Sequence, residues 1–177
     1  MHDDAPGGHG RFGALDIRSV GERDIVLSRR FAARPALVFE ALTTPELLLR
    51  WMHGPDGWRM VECEFEATVG GRYRYVWHGP GGRSMAAAGV VEQLAPPTRL
   101  VTVERFEDDW TGGDVTSVIT LSGDVESTLL TATSTHVSRA ARDTALASGM
   151  ERGVEAGYVR LDGLLAERTA SDAHTDR

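Results

Sequence analysis

Glu104 is the residue whose chemistry least suits its position. In the run LVTVERF it shares strand parity with Leu100, Thr102 and Phe106, so the alternation that turns those three toward a core also turns a carboxyl inward. A carboxyl withdrawn from water needs an arginine or a tyrosine hydroxyl as partner, or its pKa rises and it holds its proton longer. In either state it would orient a bound molecule, and in the second it could also move a proton. Arg74 and Arg105 have outward parity and would reach it only if strand bulges reversed their facing.

The other reactive side chains point to less. His53, His78 and His136 fall on three separate segments with no metal-ligand spacing between them, which reads as satisfied or exposed imidazoles; His53 alone is kept as a polar candidate. His2, His9 and His174 belong to the chain ends. The single cysteine, Cys63, excludes an intrachain disulfide framework and a multi-cysteine zinc site, and its inward parity predicts an inert buried thiol. Glu62, Glu64 and Glu66 alternate on one strand and read as a solvated face. The glycine pairs in VGGR and HGPGG do not open helices, as a phosphate-cradling loop would, and read as hairpin turns. No serine elbow, nucleotide fingerprint, metal site or cofactor is implied.

The aromatic residues are the larger signal. Trp51, Trp58, Tyr73, Tyr75, Trp77, Phe106, Trp110 and Tyr158 include all four tryptophans and all three tyrosines of the chain. Two readings stay open: each ring taken singly suits core packing, whereas the group suits the apolar lining of a ligand cavity. Met60, Met85 and Met150 would add adaptable surface. Around the turn GPDG, Trp51, His53 and Trp58 would either line the mouth of such a cavity or seal it.

These groups need elements to hold them. RDIVLSRRF alternates as a strand, with Ile25, Leu27 and Phe31 to one side. RPALVFEALTT and TPELLLRW predict two short helices, started by Pro35 and Pro45, with Thr44 as a cap for the second. Six strands follow, separated by turns too short for helical crossovers and so antiparallel. In the first of them Val61, Cys63 and Phe65 are read as inward; in the next, Tyr73, Tyr75 and Trp77. From Arg139 to Arg168 the spacing predicts one long helix capped by Ser138, with Leu146, Met150, Val154, Tyr158, Leu161 and Leu165 as its stripe. Gly149, Gly153 and Gly157 lie alongside that stripe, for close packing or for space left open. The order predicts an α+β fold: a seven-stranded curved antiparallel sheet with the long helix across its concave face.

Composition bounds the rest. The 177 residues, with 41% hydrophobic and 25% charged residues, fit one domain, placed at 23–168 between flexible tails at 1–22 and 169–177. A net charge of −7 argues against nucleic acid as a partner. Membrane insertion is not expected, because no run has the length of a spanning helix, and the N-terminus lacks the order of a signal peptide. The expected setting is the reducing cytoplasm.

The element order resembles the helix-grip, START-like or SRPBCC superfamily. Four stretches, ALTTPELLLRWMHGPDGW, ATVGGRYRYVWHGPGGR, GVVEQLAPPTRLV and HVSRAARDTALASGMERGVEAGYVRLDGLL, are similar to the bacterial Aha1-C-like family, named for homology to the activator of the Hsp90 ATPase. The resemblance covers roughly residues 23 to 167. It implies the helix-grip fold and a cavity, since superfamily members bind lipids, hormones and polyketides and some catalyse reactions on the bound ligand. It does not choose among functions. Three readings follow in order: binding of a small, mostly hydrophobic molecule between sheet and helix; an enzyme doing acid-base chemistry there; and a chaperone-type protein-interaction module. A homodimer is left open.

Overall fold

The computed structural model describes residues 14–175. Its first element revises the expected N-terminal tail: Asp16–Val20 forms strand β1, antiparallel to β2 (Asp24–Phe31), so the sheet has eight strands rather than seven. Only Ile17 of β1 is even half-buried, and an edge strand with one covered side chain carries no alternation to read. The rest of that expected tail, residues 1–13, lies outside the described residues. In β2 the alternation is complete, with Ile25, Leu27, Arg29 and Phe31 all buried.

Helices α1 (Pro35–Thr43) and α2 (Pro45–Trp51) are separated by one residue. Pro45 forces this break, because its ring pushes the residue before it out of helical geometry, and Thr44 is extended at φ −108°, ψ 118°. The expected side-chain cap by Thr44 does not form; its carbonyl instead accepts from the Leu47 and Leu48 amides. Both helices bury apolar faces, with Val38, Ala41 and Leu48 essentially inaccessible.

Strands β3 (Arg59–Phe65), β4 (Arg72–His78), β5 (Ser84–Ala95), β6 (Arg99–Phe106), β7 (Val115–Gly123) and β8 (Thr128–Thr135) complete the sheet. The order is β1-β2-β8-β7-β6-β5-β4-β3, antiparallel throughout. Register shifts in β3, between Met60 and Glu62, and in β5, between Val91 and Gln93, insert extra residues and bend the sheet. The β3 bulge corrects one expectation: Val61 is turned out and left 39% exposed, while Met60 is buried in its place.

The long helix is two helices. Helix α3 (Arg139–Ala147) starts where the Ser138 hydroxyl accepts from the Ala141 amide, as its sequence implied. Gly149, at φ +76°, then ends it in a conformation that other residues adopt only with strain, and α4 (Met150–Thr175) sets off anew. The second glycine, Gly153, serves close packing, since a Cβ there would lie 3.0 Å from Pro55 Cδ. Helix α4 also runs past Arg168 into the expected C-terminal tail. Arg34–Asp172 (2.7 Å), Arg50–Glu167 (2.6 Å) and Arg168–Glu40 (2.6 Å) tie this last stretch to α1, α2 and the turn before α1. These pairs are largely exposed, so each contributes at most about 1 kcal/mol, and the helix is held mainly by Tyr158, Leu161, Leu164 and Leu165, all buried.

Candidate functional site

Burial along α4 divides the molecule. From Gly157 onward its inward stripe is buried, but Met150 and Val154, on the same stripe nearer its start, are only half-buried, as is Leu146 on α3. Inward positions of the sheet are half-buried too: Met85, Glu104, Phe106, Ser117 and Ser134. These positions make up a half-covered part of the concave face, the cleft.

Three rows of paired residues form the floor. The first runs Tyr75–Ala87–Phe106 across β4, β5 and β6, and the second Tyr73–Gly89–Glu104–Val115 across β4 to β7. The third runs Val91–Thr102–Ser117–Ser134 from β5 to β8. Gly89 makes the second row work. A Cβ at this position would fall on the end of the Tyr73 ring and within 2.5 Å of the Val103 carbonyl oxygen, so its absence lets the tyrosine lie across β5 toward β6. There the Thr102 hydroxyl interacts with Tyr73, and the Tyr73 hydroxyl in turn with the Glu104 carboxylate. Beside them the Ser117 and Ser134 hydroxyl oxygens are 3.3 Å apart. A strip of five oxygen-bearing side chains thus crosses an otherwise apolar floor.

Desolvation dominates the electrostatics of this strip. It pushes Glu104 up to about 7, against the opposing hydrogen bond from Tyr73. Glu104 nevertheless keeps some exposed surface, which is the situation of a group at the bottom of a concavity, ringed by protein but not capped. Burial and then the Glu104 charge raise Tyr73, and the same two causes raise Tyr75 well above the ordinary phenol value. Among the described residues no arginine or histidine forms an ion pair with Glu104. Arg74, bound to Glu107 (2.6 Å) and Glu62 (3.1 Å), and Arg105, bound to Asp114 (2.7 Å), are spent on the convex face, so the bulges did not bring them inward. No three His, Cys, Asp or Glu side chains among the described residues gather to hold a metal ion.

The structure separates the sequence candidates into two groups. Met85, Glu104, Phe106 and Met150 are half-buried on the inward side, and Tyr73 and Tyr75 are buried in the rows of Glu104 and Phe106, 5.0 Å from each other, with Phe65 stacked 5.4 Å from Tyr73 and Trp110 5.0 Å from Phe106. The remaining candidates are engaged in packing. Trp51 donates to the Ala41 carbonyl (2.9 Å) and tilts against Tyr158 at 5.9 Å; Tyr158 also meets Phe31 edge-on at 5.3 Å. Trp77 is buried and donates to the Met52 carbonyl (2.8 Å). His53 Nδ1 accepts the Met60 amide (3.2 Å), which stitches the loop to β3, and burial with Arg160 and Arg59 nearby holds its pKa low. Trp58 lies against Gly79 and under the Arg83 guanidinium, closing the turn. Cys63 is half-buried, and burial pushes its thiol up to about 12, the state of an unreactive thiol.

Three polar groups of the concave face were missed. Ser117 shares parity with Ile119 and Leu121, and Ser134 with Ala132 and Leu130, so counting by twos would have found both. Arg29 is the third, inward with Ile25 and Leu27. It is 2% exposed, bonded to Asp162 (2.6 Å), 3.6 Å from Glu155, and stacked near Phe31 (5.4 Å) and Tyr158 (5.8 Å). Burial raises Asp162 despite this arginine. A groove of about 540 Å³ lies farther along, between Leu15 and Ile17 on one side and Glu151, Arg152 and Glu155 on the other. It contains none of the aromatic or hydroxyl groups of the floor, and its walls are an edge strand and charged helix residues. The floor of the cleft is the better candidate site, because small-molecule sites combine apolar walls with a few convergent polar groups.

No helix among the described residues is long and apolar enough to cross a membrane. Comparison with known proteins bears on the whole domain. Among curated proteins nothing matches the chain. The crystal structure of a protein from Rhodobacter sphaeroides is 35% identical, with 87% of this chain and 99% of that one covered and a TM-score of 0.80. A protein from Nitrosomonas europaea is 25% identical over 86% and 99% of the two chains, at a TM-score of 0.75. The AHSA1 protein from Silicibacter pomeroyi, 21% identical over 82% and 99%, shares the fold at a TM-score of 0.67. The family model for activator of Hsp90 ATPase homolog 1-like proteins matches residues 32–166, from the end of β2 into α4 and so across the whole cleft, and the chain belongs to that family.

Proposed function

We propose that the protein binds a small amphipathic molecule in the cleft between the sheet and the α3–α4 corner. One observation carries this reading: the inward stripe of α4 is left half-buried at Met150 and Val154, and the inward rows of the sheet are left half-buried at Met85, Glu104, Phe106, Ser117 and Ser134. Burying that surface under a ligand would be favourable by roughly 25 cal/mol per Å² of apolar area, with the hydroxyls and the carboxyl fixing orientation. The family membership supports a helix-grip frame of the kind that holds ligands, and the ligand itself is not given by it.

Native mass spectrometry of the purified protein, followed by denaturation and identification of any released molecule, tests the reading. A co-purified or added amphipathic compound is expected to bind wild type and to be lost from Ser117→Trp, which fills the floor. Bare protein in every preparation, together with an NMR ligand screen that moves no amide of β4 to β7, would refute it.

A further inference from the structure

The cleft contains a carboxyl, Glu104, that no positively charged side chain among the described residues pairs with. Three arginines of the described residues are committed elsewhere: Arg74 and Arg105 to acids of the convex face, and Arg29 to Asp162 and Glu155. Glu104 faces Tyr73 and Tyr75 from β4, Thr102 from its own strand and Val115 from β7. None of these carries a positive charge. Structural carboxylates that are drawn out of water are ordinarily paired, because an unpaired one is costly. A cation arriving with the ligand would supply the missing partner.

The surroundings favour an organic cation over a metal ion. A hard metal ion needs several oxygen donors at close range, and only one carboxyl is present at the strip. Aromatic faces, in contrast, attract ammonium groups, and Tyr73 stands in the row of Glu104 with Tyr75 and Phe106 in the row beside it. Met85 and Met150 offer apolar surface for a hydrocarbon body. Resting on the ligand-binding reading above, we infer that the cleft is a site for a hydrophobic amine, its ammonium on Glu104 and the Tyr73 hydroxyl and its apolar part against Phe106, Met85 and Met150. Neutral and anionic molecules of the same skeleton are discriminated against, the latter by direct repulsion.

Three probes with one skeleton test this: 4-phenylbutylamine, 4-phenylbutan-1-ol and 4-phenylbutyrate, titrated into the full chain at pH 8 by calorimetry and by amide NMR. The amine is expected to bind at least about tenfold more tightly than the alcohol, a difference of about 1.4 kcal/mol, and the carboxylate more weakly than either. Glu104→Gln should abolish most of the preference for the amine over the alcohol. Tyr73→Phe, which keeps the ring, should weaken the amine by a smaller factor. Equal binding of amine and alcohol to the cleft of wild type, or an amine affinity untouched by Glu104→Gln, overturns the inference while the cleft reading stands. Failure of all three probes to move any amide of the floor overturns both.

Discussion

Replacing Glu104 by glutamine makes the cost of the buried carboxylate measurable. Its pKa lies at about 7 in the folded protein against an ordinary 4.5. Below pH 4.5 the carboxyl is protonated in both folded and unfolded chains, and wild type bears no charge penalty. As pH rises from 4.5 to 7 the unfolded chain releases its proton while the folded chain retains it, so this residue's contribution to stability declines. Above pH 7 the loss is complete and, at roughly 1.4 kcal/mol per pH unit, amounts to about 3 kcal/mol, or nearer 2 once the partial exposure of the residue is allowed for. Glutamine has the same shape and never ionises. The variant should therefore be close to wild type at pH 4.5 and more stable by about 2 to 3 kcal/mol at pH 8. Urea denaturation followed by tryptophan fluorescence at several pH values measures this difference, and the titration of Asp162 and His53, present in both proteins, cancels from it. Parallel stability profiles for the two proteins would refute the placement of the carboxyl in a desolvated, uncompensated position.

Two further outcomes follow from packing. Gly89→Ala would drive a methyl into the Tyr73 ring and the Val103 carbonyl, so a loss of about 1 to 3 kcal/mol is expected in the same denaturation assay, and an unchanged midpoint would show that Tyr73 does not cross β5 there. Arg29→Ala should cost about 3 kcal/mol, because it strands Asp162 and Glu155 and empties a packed site between Phe31 and Tyr158; Arg29→Met, which refills that site, should recover part of the loss. Equal losses for the alanine and methionine variants would mean that the ion pairs alone, and not the packing, account for the arginine.

Much of this frame is written in local periodicity. The alternation in RYRYVWH placed Tyr73, Tyr75 and Trp77 together, the parity of LVTVERF turned Glu104 inward, and Ser138 capped a helix where a capping residue preceded an apolar stripe. Such features depend on a residue and its near neighbours, so reading along the chain finds them. Single backbone events broke the readings that failed. One bulge exchanged Val61 for Met60, and the left-handed Gly149 cut one helix into two. Strand β1 escaped notice because a barely covered edge strand has no pattern to show.

The candidate site required the tertiary structure. Sequence alone determined that an acidic group, hydroxyls and aromatic rings alternate inward on successive strands. Only strand register decided that Gly89 stands between Tyr73 and Glu104, and that Thr102, Ser117 and Ser134 fall in one row. Charge compensation is equally remote: Arg29 meets Asp162 across 133 positions of chain, and Glu104 has no such partner among the described residues. Pairing between distant segments sets which polar groups meet and which are left to a ligand, and no pattern within one segment encodes it.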